Sequence, residues 1–163
     1  MPTRSETSVN PLALERQVCF ALTVTNRAVL AVYRPLLEPL GLTHPQYLVM
    51  LALWDRRESA DEGQVPLSVK DIAVLLQLDS ATLSPMLKRL DALGLITRTR
   101  SVADERSIHI ALTETGLALR RRALDIPPAV VERLGASLAE LDELRRVLTR
   151  VNSAALAAGT LQT

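Results

Sequence analysis

The alternation of apolar and polar residues divides the chain into helices and one pair of strands. Over most of its length, apolar residues recur every three or four positions, which predicts amphipathic helices. We expect the first helix to begin with Asn10 as N-cap and Pro11 as its first residue. It should end between residues 33 and 40. The spacing of Thr43 and Gln46 is that of a capping box, which predicts the start of a second, buried helix.

The middle of the chain has a more specific order of elements. Ser68 stands where the cap of a short helix is expected, and after a turn a second helix follows over residues 80–93. Residues 95–100 and 107–112 then alternate between apolar and polar side chains, which predicts the two strands of a hairpin. Residues 68–112 therefore have the order of a winged helix-turn-helix, whose second helix enters the major groove of DNA.

The C-terminal part predicts two further helices. One starts at Thr113 or Glu114 and is expected to break at Pro127–Pro128. The last helix carries apolar residues spaced by threes and fours in a narrow line, which suits packing against another helix, such as one from a second subunit. The residues of this line are Leu134, Leu138, Leu141, Leu144, Leu148, Val151 and Ala155.

Composition and length narrow the class of protein. The 163 residues are 48% hydrophobic and 23% charged, which is typical of a globular protein. We expect a polar disordered tail at residues 1–9 and a single globular domain at residues 10–163. The expected fold is mainly α with a small β-hairpin. The winged helix-turn-helix is flanked by N- and C-terminal dimerisation helices, which lie within residues 10–56 and 114–158 together with a sensor region. The chain has neither a membrane-length apolar run nor a signal-peptide segment, which indicates a cytoplasmic protein without membrane association.

Charge and side-chain chemistry predict where DNA would bind. The net charge is only +1, so binding must depend on local patterning. Small hydroxyls at the start of the second helix suit base edges and phosphates, and an aspartate at the hairpin tip can orient an arginine two residues later for the minor groove. The predicted DNA-contacting residues are Ser80, Thr82, Ser84, Lys88, Arg89, Arg98, Asp104 and Arg106. Helix capping and solvated ion pairs are the ordinary alternatives, and protein docking is the competing use of a winged helix.

Four stretches of the chain carry a family resemblance. The run DSATLSPMLKRLDALGLITRTRSVADERSIHIALTETG resembles the MarR family of dimeric winged-helix regulators, with DER as its most specific piece. The stretches QVCFAL, YRPLLEPLGLTHPQYLVMLALW and ALDIP are similar to its organic-hydroperoxide-resistance branch. The resemblance covers about residues 12 to 150. It implies a homodimer formed by the first and last helices, with two wings that span a pseudo-palindromic operator in double-stranded DNA.

The same resemblance implies a redox sensor at Cys19. In this branch the cysteine at that position is oxidised by organic hydroperoxides, and the repressor then leaves DNA. Tyrosines at the positions of Thr23, Tyr33 and His44 surround the thiol, partly from the other subunit, and only Tyr33 is retained here. Thr23 can donate a hydrogen bond with a shorter reach, and a protonated His44 would favour the thiolate.

The cysteine count constrains the chemistry that could follow oxidation. Cys19 is the only cysteine. A sulfenic acid formed there needs a low-molecular-weight thiol, or Cys19 of another chain, to become a disulfide, and otherwise it is oxidised further. We expect the mixed disulfide with a small thiol.

Other readings of the same residues remain open. A regulator that responds to a small aromatic ligand would use Thr23 and His44 as pocket residues, and a thiol peroxidase would share the cysteine chemistry. Cys19 could also be a small apolar filler. One cysteine with two scattered histidines does not complete a tetrahedral site, so a zinc sensor built from Cys19, His44 and His109 is disfavoured. We expect no enzyme activity, no metal and no cofactor.

Overall fold

Helices and one hairpin make up the described part of the chain, as the sequence predicts. The computed structural model describes residues 10–59, 66–101, 104 and 106–159. The expected tail at residues 1–9 lies outside this part. The elements are α1 (Val18–Leu37), α2 (His44–Ser59), α3 (Val69–Leu76), α4 (Ser80–Ala92), β1 (Ile96–Arg100), β2 (Ile108–Leu112), α5 (Glu114–Ala123), α6 (Ile126–Leu134) and α7 (Leu138–Ala157). Short 3-10 turns occupy Leu14–Arg16 and Glu38–Leu40.

Helix α1 begins later than the sequence predicts. It starts at Val18 rather than at Pro11, because the preceding segment is held in turns. The side-chain amide of Gln17 donates to the carbonyl of Pro11 at 2.8 Å, and the extended backbone of Gln17 interrupts the helical path. The helix ends at Leu37, inside the expected interval.

Side-chain caps fix the starts of the next helices. The backbone N–H of Thr43 donates to the side-chain oxygen of Gln46 at 2.9 Å, as the capping-box spacing before α2 predicts. Ser68 and Asp71 form a complete capping box at the start of α3. The prediction of helix caps at both places is confirmed.

The two consecutive prolines have a different role from the one expected. Helix α5 already ends at Ala123, and Pro127 and Pro128 occupy the first turn of α6. Proline is favoured in the first turn of a helix, because the backbone N–H that it lacks would have no partner there. The expected break is present, but these residues begin a helix rather than end one.

The hairpin is antiparallel and is anchored at its base. Its register pairs Ile96 with Leu112 and Arg100 with Ile108, and the side chains of Ile96 and Ile110 are buried. The backbone N–H of Ile110 also donates to the carbonyl of Leu67 at 2.8 Å, so the segment before α3 holds the hairpin against the helices.

One joint connects α4, the hairpin and α5. Gly94 has a φ of +69° just after α4, in the left-handed region that favours glycine at the C-terminal end of a helix. The hydroxyl of Thr113 donates to the carbonyl of Gly94 at 2.6 Å and accepts the N–H of Gly116 at 3.0 Å. A Cβ at Gly116 would collide with the carbonyl oxygen of Leu95, so only glycine allows α5 to approach this closely. We call residues 94, 95, 113 and 116 the wing joint.

One face of α1 and one face of α7 lie outside the core of the chain. Buried residues come from the end of α1, from α2 to α6 and from the hairpin, whereas α7 has no buried residue and α1 has only Leu37. Exposed apolar side chains follow both helices: Val18, Phe20, Leu22 and Val24 on α1, and Leu138, Leu144, Leu148, Val151 and Leu156 on α7. No described helix is long and apolar enough to cross a membrane.

We predict that Thr113→Ala destabilises the protein by about 1–2 kcal/mol, because it removes a helix cap and the bond to Gly94. Urea unfolding measures the change. The matched control is Thr115→Ala, an exposed residue in the first turn of the same helix, which should change stability little. Equal effects from the two variants would contradict the role assigned to the joint.

Candidate DNA-binding surface and redox pocket

A cleft lies between the two helices of the helix-turn-helix and the wing. It has a volume of about 390 Å³ and lies between α3, the start of α4 and the hairpin. It brings together five of the eight side chains predicted to contact DNA, namely Ser80, Ser84, Arg98, Asp104 and Arg106. Three cationic side chains and one carboxylate line it, so the cleft is electropositive in a chain that is nearly neutral.

The third cation of this cleft is Lys70, which the sequence reading missed. Lys70 lies in the first turn of α3, two residues after Ser68, and it is exposed. The cap at Ser68 predicted the start of α3, but no residue of that helix was among those predicted to contact DNA. The available signal was a lysine two residues after the cap of α3, the helix that precedes α4.

The remaining predicted residues of α4 have different surroundings. The side chain of Asp79 caps α4, because it accepts the backbone N–H of Thr82 at 2.6 Å and the hydroxyl of Thr82 at 3.0 Å. The Thr82 hydroxyl is therefore engaged in capping. Lys88 and Arg89 are exposed further along the helix, outside the lining of the cleft.

The aspartate at the wing tip acts on the backbone. The sequence analysis placed Asp104 and Arg106 at the hairpin tip and applied strand geometry to them, in which side chains two apart point the same way. The structure has β2 beginning only at Ile108, and the Asp104 carboxylate accepts the backbone N–H of Arg106 at 3.0 Å. Aspartate commonly stabilises turns by accepting an N–H two residues later. The Asp104 carboxylate thus stabilises the backbone turn at the tip, whereas the sequence predicted that it would orient the Arg106 guanidinium.

One arginine of the cleft has an unsatisfied donor. Within the described part of the chain, the Nε of Arg98 is buried and has no hydrogen-bond partner. A buried N–H without an acceptor is costly, and a charged one more so. Arg98 also lines the cleft, so its guanidinium lies beside any anion that enters it.

The proposed sensor residues are only partly brought together. The rings of Tyr33 and His44 meet edge to face, with centroids 5.0 Å apart. Cys19 is exposed near the start of α1, and 14 residues of helix place it about 21 Å along the axis from Tyr33. The hydroxyl of Thr23 donates to the carbonyl of Cys19 at 2.7 Å, so it stabilises the helix backbone rather than the thiol.

Burial sets the protonation of the ring pair. Desolvation lowers the pKa of His44 below its ordinary value and raises the pKa of Tyr33. Burial therefore disfavours the protonated form of His44, which is the cation considered from the sequence. A crevice of about 610 Å³ beside it is lined by Leu30 and Arg34, and Arg34 is a permanent cation that the sequence reading missed although it adjoins Tyr33.

The residues considered for zinc lie on separate elements. His44 begins α2 and packs on Tyr33, whereas His109 lies in β2 and pairs with Ser68. Among the described residues, no group of three or more His, Cys, Asp or Glu side chains is placed to hold a metal ion.

Fold and cleft together define a class of protein. A helix-turn-helix whose second helix leads into a two-stranded wing, with cations gathered between them, is the architecture of winged helix-turn-helix DNA-binding proteins. Helices α1 and α2 precede this unit in the chain, and α5, α6 and α7 follow it.

Comparison with known proteins agrees with this class. The family model "Transcriptional regulator SarA/Rot" matches residues 31–121. The organic hydroperoxide resistance transcriptional regulator of Bacillus subtilis is 42% identical over 143 residues, which cover 88% of this chain and 92% of the relative. The regulator TtmR of Methylorubrum extorquens is 42% identical over 144 residues, which cover 88% of this chain and 68% of TtmR. The chain therefore belongs to the MarR-type winged helix-turn-helix transcriptional regulators, and its resemblance to the hydroperoxide branch is confirmed.

Solved structures show the same likeness. Reduced AbfR bound to DNA is 30% identical, with a TM-score of 0.72 over 89% of this chain and 94% of AbfR. Disulfide-formed AbfR is 31% identical, with a TM-score of 0.57 over 89% of this chain and 91% of AbfR.

We predict that His44 titrates with a pKa below 6.5, because burial penalises its charged form. The unfolded chain then binds more protons than the folded one below pH 6.5, so stability is lost as the pH falls through that range. An NMR titration of the two histidines measures this directly, with His44→Gln assigning the resonance. A His44 pKa above 6.5 would contradict the burial argument.

Proposed function

We propose that this chain is a homodimeric transcriptional repressor that binds operator DNA in the cytoplasm and is released when an organic hydroperoxide oxidises Cys19. The observation that carries the proposal is the electropositive cleft between α3, α4 and the wing, in a chain 42% identical to an organic hydroperoxide resistance regulator. Different parts of the molecule support DNA binding and redox sensing.

The apolar faces of α1 and α7 support a dimer. Leu144, Leu148 and Val151 are 46%, 41% and 47% exposed, and they follow one another at helical spacing along α7. A contiguous apolar stripe of this kind marks an interaction surface on a protein in water. A second copy of the chain covers it with the same stripe, because a two-fold interface is self-complementary.

The cleft supports the mode of DNA binding. In a winged helix-turn-helix, the start of the second helix enters the major groove, where Ser80 and Ser84 are placed to meet base edges and phosphates. Arg98 lines this cleft, where a backbone phosphate oxygen would accept a hydrogen bond from its guanidinium. Arg106 at the wing tip then lies where the adjacent minor groove would pass. In the dimer, two such surfaces contact half-sites spaced by about one helical turn, or ~10–10.5 base pairs.

The position of Cys19 supports a sensor shared between subunits. Cys19 and Tyr33 lie about 21 Å apart on one continuous helix, so they do not meet within a single chain. Exposed apolar residues surround Cys19 on α1, and a partner that covers them would bring its own Tyr33 and His44 towards the thiol. Each sensor site is then completed by the second subunit, which links oxidation to the arrangement of the dimer.

The chemistry needs one cysteine and one small thiol. The Cys19 thiolate attacks the terminal oxygen of the hydroperoxide and breaks its O–O bond, which gives a sulfenic acid and leaves the corresponding alcohol. A low-molecular-weight thiol then attacks the sulfenic sulfur, which forms the S–S bond and releases water. The small thiol is required because the chain has no second cysteine.

We predict that Cys19→Ser binds operator DNA as tightly as the wild type but is not released by cumene hydroperoxide. In the wild type, oxidation should lower operator affinity at least about tenfold, equivalent to ~1.4 kcal/mol. Gel shifts with and without hydroperoxide measure both effects, and intact mass should show the small-thiol adduct only on the wild type. Release of the serine variant would remove the sensor role from Cys19 and favour a ligand-responsive regulator.

We predict that Arg106→Ala weakens operator binding about tenfold or more, and Lys88→Ala by about threefold. An arginine in the minor groove reads groove shape as well as charge, whereas a lysine on the exposed side of α4 contributes one phosphate contact. Fluorescence anisotropy at two salt concentrations separates the contributions. Arg133→Ala, which removes an exposed cation from α6, is the charge-matched control. Equal losses with equal salt dependence would contradict the assignment.

A further inference from the structure

Of the four Phe, Tyr and Trp rings of this chain, three lie in one continuous line, namely Tyr33 of α1 and Tyr47 and Trp54 of α2. The rings of Tyr33 and Tyr47 lie 6.1 Å apart, and those of Tyr47 and Trp54 lie 6.4 Å apart. Tyr47 and Trp54 are both about 3% exposed and lie two helical turns apart on the same face of α2. The line therefore begins at the ring pair of Tyr33 and His44 and runs along the buried side of the helix.

The line ends on the wing joint. The indole N–H of Trp54 donates to the backbone carbonyl of Gly116 at 2.9 Å, a buried bond between residues 62 positions apart. Gly116 belongs to the first turn of α5, which is tied through Thr113 to Gly94. Its close approach to Leu95 leaves no space to adjust independently. A shift of the indole would thus be transmitted to the residues where α4 ends and the wing begins.

We propose that Trp54 is a positioning residue that couples the ring pair of Tyr33 and His44 to the wing joint, so that the bond to Gly116 stabilises the DNA-binding arrangement. The inference rests on the proposed function, because it names the route by which oxidation at the pocket reaches the DNA-binding surface. Densely packed side chains pass on displacements because they have no free volume in which to absorb them. A coupling route also requires that both sites bias the same element, and here that element is the first turn of α5.

The test compares two variants of α2. Trp54→Phe keeps an aromatic ring but removes the donor to Gly116. Val49→Ala removes volume at a fully buried residue of the same helix that is not part of the ring line. For each protein, operator affinity is measured in the reduced form and after cumene hydroperoxide with a small thiol, and intact mass records the extent of modification at Cys19.

In the reduced form, Trp54→Phe should bind operator about fivefold more weakly than the wild type. In the oxidised form, the variant and the wild type should bind with the same low affinity. The ratio of reduced to oxidised affinity is therefore about fivefold smaller in the variant. Val49→Ala should keep the wild-type ratio even if its stability falls as much. A ratio that is unchanged in Trp54→Phe, or reduced equally in both variants, would overturn the inference. If the modified wild type itself stays on DNA, the proposed function fails instead, and the two failures are distinguishable.

Fluorescence provides a second readout that does not need the variant to fold. Trp54 is the only tryptophan, so emission of the wild type reports its surroundings directly. Oxidation should shift this emission to longer wavelength as the indole loses its dry contacts, and Cys19→Ser should show no shift. Unchanged emission from wild-type protein that has been modified and released from DNA would contradict the role of Trp54.

Discussion

The helices at the two ends of the chain leave apolar faces that the rest of the same chain does not cover. The first half of α1 and the whole of α7 carry leucines, valines and one phenylalanine into solvent, whereas the residues between them bury a core of their own. Apolar surface arranged in this way lowers its free energy by associating with a matching surface. The proposed function depends on this association in two ways. It completes a sensor site around Cys19, and it sets two wings on one operator.

A single helix connects the two parts of the proposed mechanism. Helix α2 begins at His44, in the ring pair, and Trp54 in its last third contacts the wing joint. Its buried face makes contacts at both ends, so a rotation or shift of α2 would displace residues at the pocket and at the wing joint together. The lowered pKa of His44 fits this view, because burial beside the ring of Tyr33 disfavours the charged form of the imidazole. The cationic character near the pocket comes from Arg34 instead.

Local chemistry made most of the fold predictable from sequence. Capping residues such as Ser68 and Thr43 act within four positions, and the left-handed turn at Gly94 and the alternation of the strands are equally local signals. The errors lie where distant contacts or fine geometry decide. The side chain of Gln17 holds the segment before α1 in turns, and a turn rather than a strand at Asp104 directs its carboxylate to the backbone. Lys70 and Arg34 could be identified only once the elements beside them were placed.

The central claim is that the sensor site is shared between subunits, and mixed dimers test this claim most directly. One chain carries Cys19→Ser, and the other carries Tyr33→Phe with His44→Ala. If each cysteine reacts within a site completed by the other subunit, the mixed dimer retains one intact site. Stopped-flow oxidation followed by intact mass should then show the remaining cysteine reacting at the wild-type rate. A rate as slow as that of the Tyr33→Phe, His44→Ala homodimer would place the site within one chain and contradict the account.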